Sequence, residues 1–211
     1  MFDLVIFDCD GVLVDSEVVS NQVMVDNLAR YGLSLTLKDC MGHFVGGTMT
    51  GVMAKARDMG ADLPDGWIDE IYAETYAALK AGVPLVRGIP EVLAQLDVQG
   101  VPVCVASNGS RDKMKITLGQ NGLWDRFEDA MFSAQELGVG KPEPDLFLAA
   151  AKHFGAKRPA VIEDSPSGAL AAHRAGMRCF GYAEHDDGAR VAAHGAQVFH
   201  DMLDLPALLE L

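Results

Sequence analysis

Short apolar runs, most of them followed within a few residues by Asp, Ser, Asn or Gly and then by a helical pattern, constrain this chain more than any other feature. They are Leu4–Phe7, Val101–Ala106, Ala130–Phe132, Ala160–Ile162, Cys179–Tyr182 and Gln197–Phe199. Continuous rather than alternating hydrophobicity marks strands buried on both faces, as in a parallel sheet covered by helices. The helices between them have readable ends. Ser110 can cap one that runs to about Asn121, and Ser165 followed by Pro166 starts another that Gly176 can stop. The stretch from Ser16 to Lys80 has no such strand. Glu17–Arg30, Thr48–Gly60 and Pro64–Lys80 all read as helices, and Gly82, Pro84 and Gly88–Pro90 mark the return to strand–helix alternation. The expected fold is α/β: a doubly wound parallel sheet, residues 1–15 and 82–211, with a small α-helical cap inserted at 16–81.

At 211 residues the chain is long enough for one such domain and its insertion. Lys and Arg number 17 against 30 Asp and Glu, for a net charge of −13. That field repels nucleic acid and anionic membranes, so neither is expected as a partner. It also repels an anionic substrate, so a phosphate site would need a metal ion or a few placed cations. The four cysteines, Cys9, Cys40, Cys104 and Cys179, lie far apart with no C-x-x-C pair, and read as small buried hydrophobes in a reducing cytoplasm. The first apolar run is too short for a signal peptide or a spanning helix. A soluble cytoplasmic protein is expected, as a monomer or weak homodimer.

Four strand ends carry chemistry. The first strand ends in Asp8-Cys9-Asp10-Gly11. Two carboxylates two residues apart at a sheet edge repel each other unless a cation lies between them, and oxygen ligands of this kind suit Mg²⁺. Ser107-Asn108-Gly109 offers a hydroxyl, an amide and backbone donors at a helix entry, where an oxyanion is stabilised. Gly138-Val139-Gly140-Lys141-Pro142 sets a lysine on a glycine-bearing loop, and Glu163-Asp164-Ser165 is a second acid pair heading a helix. Each alone has an ordinary reading: a solvated turn, an N-cap loop, a surface lysine, a Ser–Pro cap. The ordered set (acid pair, hydroxyl, lysine, acid pair) falls where a doubly wound sheet puts its strand ends on one edge.

At these residues the sequence resembles the haloacid dehalogenase superfamily, in the branch whose helical cap follows the first strand. The matching segments are Phe7-Asp8-Cys9-Asp10-Gly11-Val12-Leu13-Val14-Asp15-Ser16-Glu17, Lys141-Pro142-Glu143-Pro144-Asp145 and Glu163-Asp164-Ser165-Pro166-Ser167-Gly168. The resemblance implies a Mg²⁺-dependent phosphatase. Asp8 would attack phosphorus to form an aspartyl phosphate, and Asp10 would act as general acid and then base. Ser107 and Asn108, with the Gly109 backbone, would hold the phosphoryl oxygens, and Lys141 would balance charge. The metal would be held by Asp8, the Asp10 carbonyl and Asp164, with Glu163 helping directly or through water. Asp10 and the intact acid pair set the chain apart from the dehalogenases and phosphonate hydrolases of the same fold.

The core motifs are most similar to the bacterial 6-phosphogluconate phosphatase type, which implies a sugar phosphate or phosphorylated sugar acid as substrate. The alternative is an isomerase of the β-phosphoglucomutase kind. Mutases carry a cap histidine where this chain has Ser20, and cations in a loop that aligns with Met41–Thr48, which contains no Lys or Arg. His43, Gly46 and Thr48 on that loop are candidate substrate contacts, as is Lys113 after the second strand, although a solvated loop would also account for His43 and Thr48. Cys9, Trp67 and Trp124 read as packing residues, and His185-Asp186-Asp187 as a surface turn. Hinges near Asp15 and Gly82 would let the cap open and close.

Overall fold

The computed structural model describes residues 2–44 and 49–211. By its internal packing the chain divides into two compact units, Met1–Asp15 with Pro84–Leu211, and Ser16–Val83.

The first unit is the sheet. Its strands are β1 (Leu4–Phe7), β2 (Val103–Ser107), β3 (Met131–Ser133), β4 (Pro159–Glu163), β5 (Arg178–Tyr182) and β6 (Gln197–Phe199). They run parallel in the order β3-β2-β1-β4-β5-β6. The strand order reverses at β1, where a doubly wound sheet opens a crevice beyond its strand ends. Alternation divides each strand between two covered faces. Leu4, Ile6, Cys104, Ala106, Val161 and Cys179 pack with Leu146, Phe147 and Ala150, and with Ala169 and Ala172. Val5, Phe7, Val105 and Ile162 point the other way and are fully buried as well. Burial on both faces is why these strands read as unbroken apolar runs. Of the expected runs, Val101–Ala106 shifts by up to two residues and the Ala160–Ile162 strand extends by one at each end, through Pro159 and Glu163.

The second unit is helical: α1 (Ser16–Arg30), α2 (Leu37–Phe44), α3 (Met49–Asp58) and α4 (Trp67–Ala81). Met24, Leu28, Cys40, Phe44, Val52, Met53, Trp67 and Ile71 form its core. Helix α2 was not anticipated. The loop expected over Met41–Thr48 is helical through Phe44, and Gly46 and Thr48 lie outside the described residues. The cause is a reciprocal cap: Thr36 Oγ1 accepts from the Asp39 amide at 3.1 Å while its hydroxyl donates to Asp39 Oδ2 at 2.6 Å. Cys40 and Phe44, four residues apart, then bury one face despite Gly42 between them.

In the sheet unit the helices are α5 (Ile89–Val98), α6 (Arg111–Gly119), α7 (Trp124–Phe127), α8 (Ala134–Leu137), α9 (Asp145–Phe154), α10 (Pro166–Arg174), α11 (Ala189–Ala192) and α12 (Leu205–Leu208). Both expected caps are present: Ser110 Oγ accepts from the Lys113 amide at 3.1 Å and Ser165 Oγ from that of Gly168 at 3.0 Å. Among the described residues, no helix is long and apolar enough to cross a membrane.

Candidate active site

The register of the sheet gathers the four motifs. Phe7 lies level with Val105 of β2 and Ile162 of β4, so the next residues, Asp8, Ala106 and Glu163, lie side by side at the carboxyl ends of their strands. The Asp8 amide donates to the Ile162 carbonyl at 2.9 Å. Beyond it the chain doubles back, the amides of Leu13 and Val14 both donating to the Cys9 carbonyl at 3.0 Å. Gly11 makes this turn with φ of +74°, and a Cβ there would lie 2.1 Å from Asp164 Oδ2. A glycine is needed twice over: for the left-handed backbone and for the close approach of the Asp164 carboxylate.

Lys141 lies at the centre. Its Nζ sits 2.6 Å from Asp8 Oδ1 and 2.6 Å from Glu163 Oε1. Asp8 and Lys141 are each 8% exposed and Glu163 is 0%. Burial pushes the Asp8 carboxyl up to about 7; Lys141 pulls against this, and the charges of Glu163 and Asp10 add to it. Burial works to lower the Lys141 ammonium, but Asp8 and Glu163 outweigh it and hold the amine well above its ordinary value.

Glu163 is saturated. Its Oε2 accepts from the amides of Asp164 at 3.1 Å and Ser165 at 2.9 Å and from the Ser165 hydroxyl at 2.8 Å, while Oε1 takes Lys141. A Cβ on Gly168 would lie 1.8 Å from Glu163 Cδ, which accounts for glycine at that place in the helix entry. Glu163 therefore fixes Lys141 and the start of α10.

The second strand's motif divides its labour. Ser107 Oγ accepts from the Gly109 amide at 3.1 Å. A Cβ on Gly109 would lie 3.3 Å from Ser107 Oγ and 3.6 Å from Asp10 Oδ2, so hydroxyl and carboxylate flank this glycine. The side chain of Asn108, a candidate phosphoryl contact, anchors the Lys141 backbone. Its Oδ1 accepts from the Lys141 amide at 2.8 Å and its Nδ2 donates to the Lys141 carbonyl at 3.2 Å. Lys113 pairs with Asp10, Nζ to Oδ2 at 2.8 Å. Burial disfavours its ammonium, yet the Asp10 charge and hydrogen bond hold its pKa above the ordinary value.

His43 belongs to the helical unit, exposed at the end of α2, with its carbonyl accepting from Lys55 Nζ at 3.0 Å. Two residues of the site went unread. Ser133 Oγ donates to the Gly109 carbonyl at 2.8 Å, and Arg174 Nη1 donates to the Pro142 carbonyl at 2.9 Å and pairs with Glu143. Ser133 could have been found as a hydroxyl directly closing an apolar run. Arg174, the last residue of α10, gave no signal.

Among the described residues, carboxylate oxygens of Asp8, Glu163 and Asp164 lie within 4.8 Å of one another. Three clustered acids, two of them sharing one ammonium, are short of positive charge, and an all-oxygen anionic set fits a hard divalent cation.

A sheet with this order, carrying a buried Asp–Lys pair at its switch point and a second acid pair on the neighbouring strand, defines a class of hydrolase. The chain belongs to the haloacid dehalogenase-like hydrolases, whose family model matches residues 2–176. It is 35% identical over 184 residues to the chloroplastic protein SUPPRESSOR OF QUENCHING 1 of Arabidopsis thaliana, a match that covers 83% of this chain but spans only 17% of that protein's length. It is 27% identical to 6-phosphogluconate phosphatase of Escherichia coli, over 98% of this chain and 94% of the relative. A solved family hydrolase from Deinococcus radiodurans, with bound phosphate and sodium, superposes with a TM-score of 0.87 at 33% identity, covering 99% of this chain and 96% of that one.

Proposed function

We propose that this hydrolase is a magnesium-dependent phosphatase of a small phosphorylated metabolite, a sugar phosphate or a phosphorylated sugar acid, working through an aspartyl phosphate on Asp8. The observation that carries the reading is the buried Asp8 carboxylate held 2.6 Å from Lys141 at the strand-order switch. A carboxylate oxygen of Asp8 attacks phosphorus, and the bond from phosphorus to the ester oxygen breaks. Asp10 gives its proton to the departing oxygen, which leaves as the alcohol. Water then attacks the phosphoenzyme and yields a proton to Asp10, releasing inorganic phosphate and restoring Asp8. Ser107 and the Gly109 backbone bind phosphoryl oxygens, and Lys141 offsets the charge of nucleophile and phosphate.

Asp8, the Asp10 carbonyl and Asp164 would hold Mg²⁺, with Glu163 behind them. Once bound, the ion supplies the positive charge that lets an anionic nucleophile meet an anionic phosphate. In this reading residues 16–81 are the cap that selects the substrate, and His43 is the candidate contact within it. The four cysteines are free and buried, in keeping with the reducing cytoplasm where we place the protein. Relatives support the phosphate ester as substrate: besides 6-phosphogluconate phosphatase, validoxylamine A 7'-phosphate phosphatase of Streptomyces hygroscopicus is 30% identical over 91% of this chain.

The test is phosphate release from sugar phosphates, phosphorylated sugar acids and phosphoglycolate, with Mg²⁺ and with EDTA. Selective release abolished by EDTA is expected. No release from any of them would overturn the reading, and label returning from substrate to sugar instead of to free phosphate would establish a mutase.

A further inference from the structure

Each carboxylate of the Asp8-Cys9-Asp10 motif has its own lysine. Lys141 takes Asp8, where phosphorus would be attacked, and Lys113 takes Asp10. The second pair is built with care. Lys113 lies in the first turn of α6, where the helix dipole disfavours a cation. Its root is fixed by the Ser110 cap, and its alkyl chain passes over Gly109, where a Cβ would lie 3.7 Å from Lys113 Cδ. The ion pair at its tip is 2.8 Å long and three-quarters buried, the two side chains being 22% and 25% exposed. A lysine meant to catch substrate has no need of this partner, but a carboxyl that must hold one orientation does.

We propose that Lys113 is a positioning residue for proton transfer: it pins the Asp10 carboxyl beside Gly109 and Ser107, so that the proton passes from Asp10 to the ester oxygen as the phosphorus–oxygen bond breaks. This deepens the phosphatase reading above and rests on it. Proton donation matters most for a basic leaving oxygen and little for an acidic one, so the role can be read without knowing the natural substrate.

The experiment measures kcat/KM, which covers the steps through first bond cleavage, for a series of aryl phosphates from phenyl to 4-nitrophenyl. Lys113→Met is expected to lose about tenfold or more on phenyl phosphate and under about threefold on 4-nitrophenyl phosphate, a fraction of what a general acid contributes. Asp10→Asn should steepen the dependence in the same way, and Lys113→Met should add nothing further in that background. Lys113→Arg, which keeps a cation in place, should move the slope back towards wild type. An equal loss across the series, no loss at all, or losses from Lys113→Met and Asp10→Asn that multiply would overturn the positioning role. Wild type without turnover on these esters and on the metabolite panel would overturn the phosphatase reading and this inference together. Wild-type turnover with a uniform Lys113→Met loss would overturn this inference only.

Discussion

Asp8 is buried among like charges, and without a cation beyond Lys141 that placement works against folding. Its carboxyl is raised from an ordinary 3.8 to about 7, first by burial. Between those values the folded protein holds a proton that the unfolded chain has released, so this group removes stability as pH rises from about 4 to 7 and no further above that. Asp8→Asn deletes the penalty along with the nucleophile. In EDTA the variant is expected to melt a few degrees above wild type at pH 7.5, the gap closing towards pH 4, while turnover falls by at least about 10³-fold. Calorimetry across that pH range checks the first part, and a variant less stable than wild type at neutral pH would refute it. The residues to which we assign the chemistry stand out in the sequence because their types are costly anywhere else: paired acids, and a lysine between a glycine and a proline. The bonds that hold them in place are not legible there. Asn108, Ser133 and Arg174 act through backbone groups of Lys141, Gly109 and Pro142, and a bond to a backbone leaves no pattern in side-chain types.

Among the elements, the strands were legible and the helical unit only partly so. Burial on both faces writes itself into a strand as a continuous apolar run, whereas α2 is specified by Thr36 and Asp39 bonding to each other, which eight short residues containing Gly42 do not advertise. The joint between α1 and α4 was equally hidden. Asn27 and Trp67 are both fully buried, and Asn27 Oδ1 accepts from the Trp67 indole at 2.6 Å while its Nδ2 donates to Glu70 and Glu74 at 3.1 Å. Arg30 bonds the same two glutamates, and the Tyr31 hydroxyl donates to Glu70 at 2.6 Å. Asn27→Ala leaves a buried indole donor unpaired, at a cost of about 1–3 kcal/mol. A melting point lower by several degrees and altered Trp67 emission are expected, read against a Trp124→Phe background; an unchanged melt would mean the network contributes nothing. The hydrogen bond from Arg30 lowers Glu74 below its ordinary value. That contribution is present above the unfolded pKa and lost as pH falls through the folded one, so the helical unit should weaken below about pH 4.5.

Over the whole molecule the net charge of −13 opposes every anionic ligand, and the site repeats that imbalance at close range, with Asp8 and Glu163 sharing Lys141 and Asp164 beside their carboxylates. A phosphate dianion brought to three carboxylates and one ammonium gains little. A divalent cation brought there gains much, and once present it reverses the local field for the phosphate. The two ligands should therefore bind with positive coupling, and the coupling must be reciprocal: Mg²⁺ tightens phosphate by the same factor that phosphate tightens Mg²⁺. Ligands that bind only the folded state raise the melting temperature in proportion to occupancy, so global stability reports the coupling without any turnover. Four melts suffice: the protein in EDTA, with Mg²⁺, with inorganic phosphate in EDTA, and with both. Phosphate in EDTA is expected to move the midpoint by less than about 1 °C, and phosphate with Mg²⁺ to add several degrees beyond Mg²⁺ alone, as a coupling of about 1–3 kcal/mol would give. Asp164→Ala should abolish the excess while leaving Lys141 with both its partners. Phosphate stabilising the protein equally with and without Mg²⁺ would mean that the lysines alone hold the anion, and the reading of the acid cluster as a metal site would have to be given up.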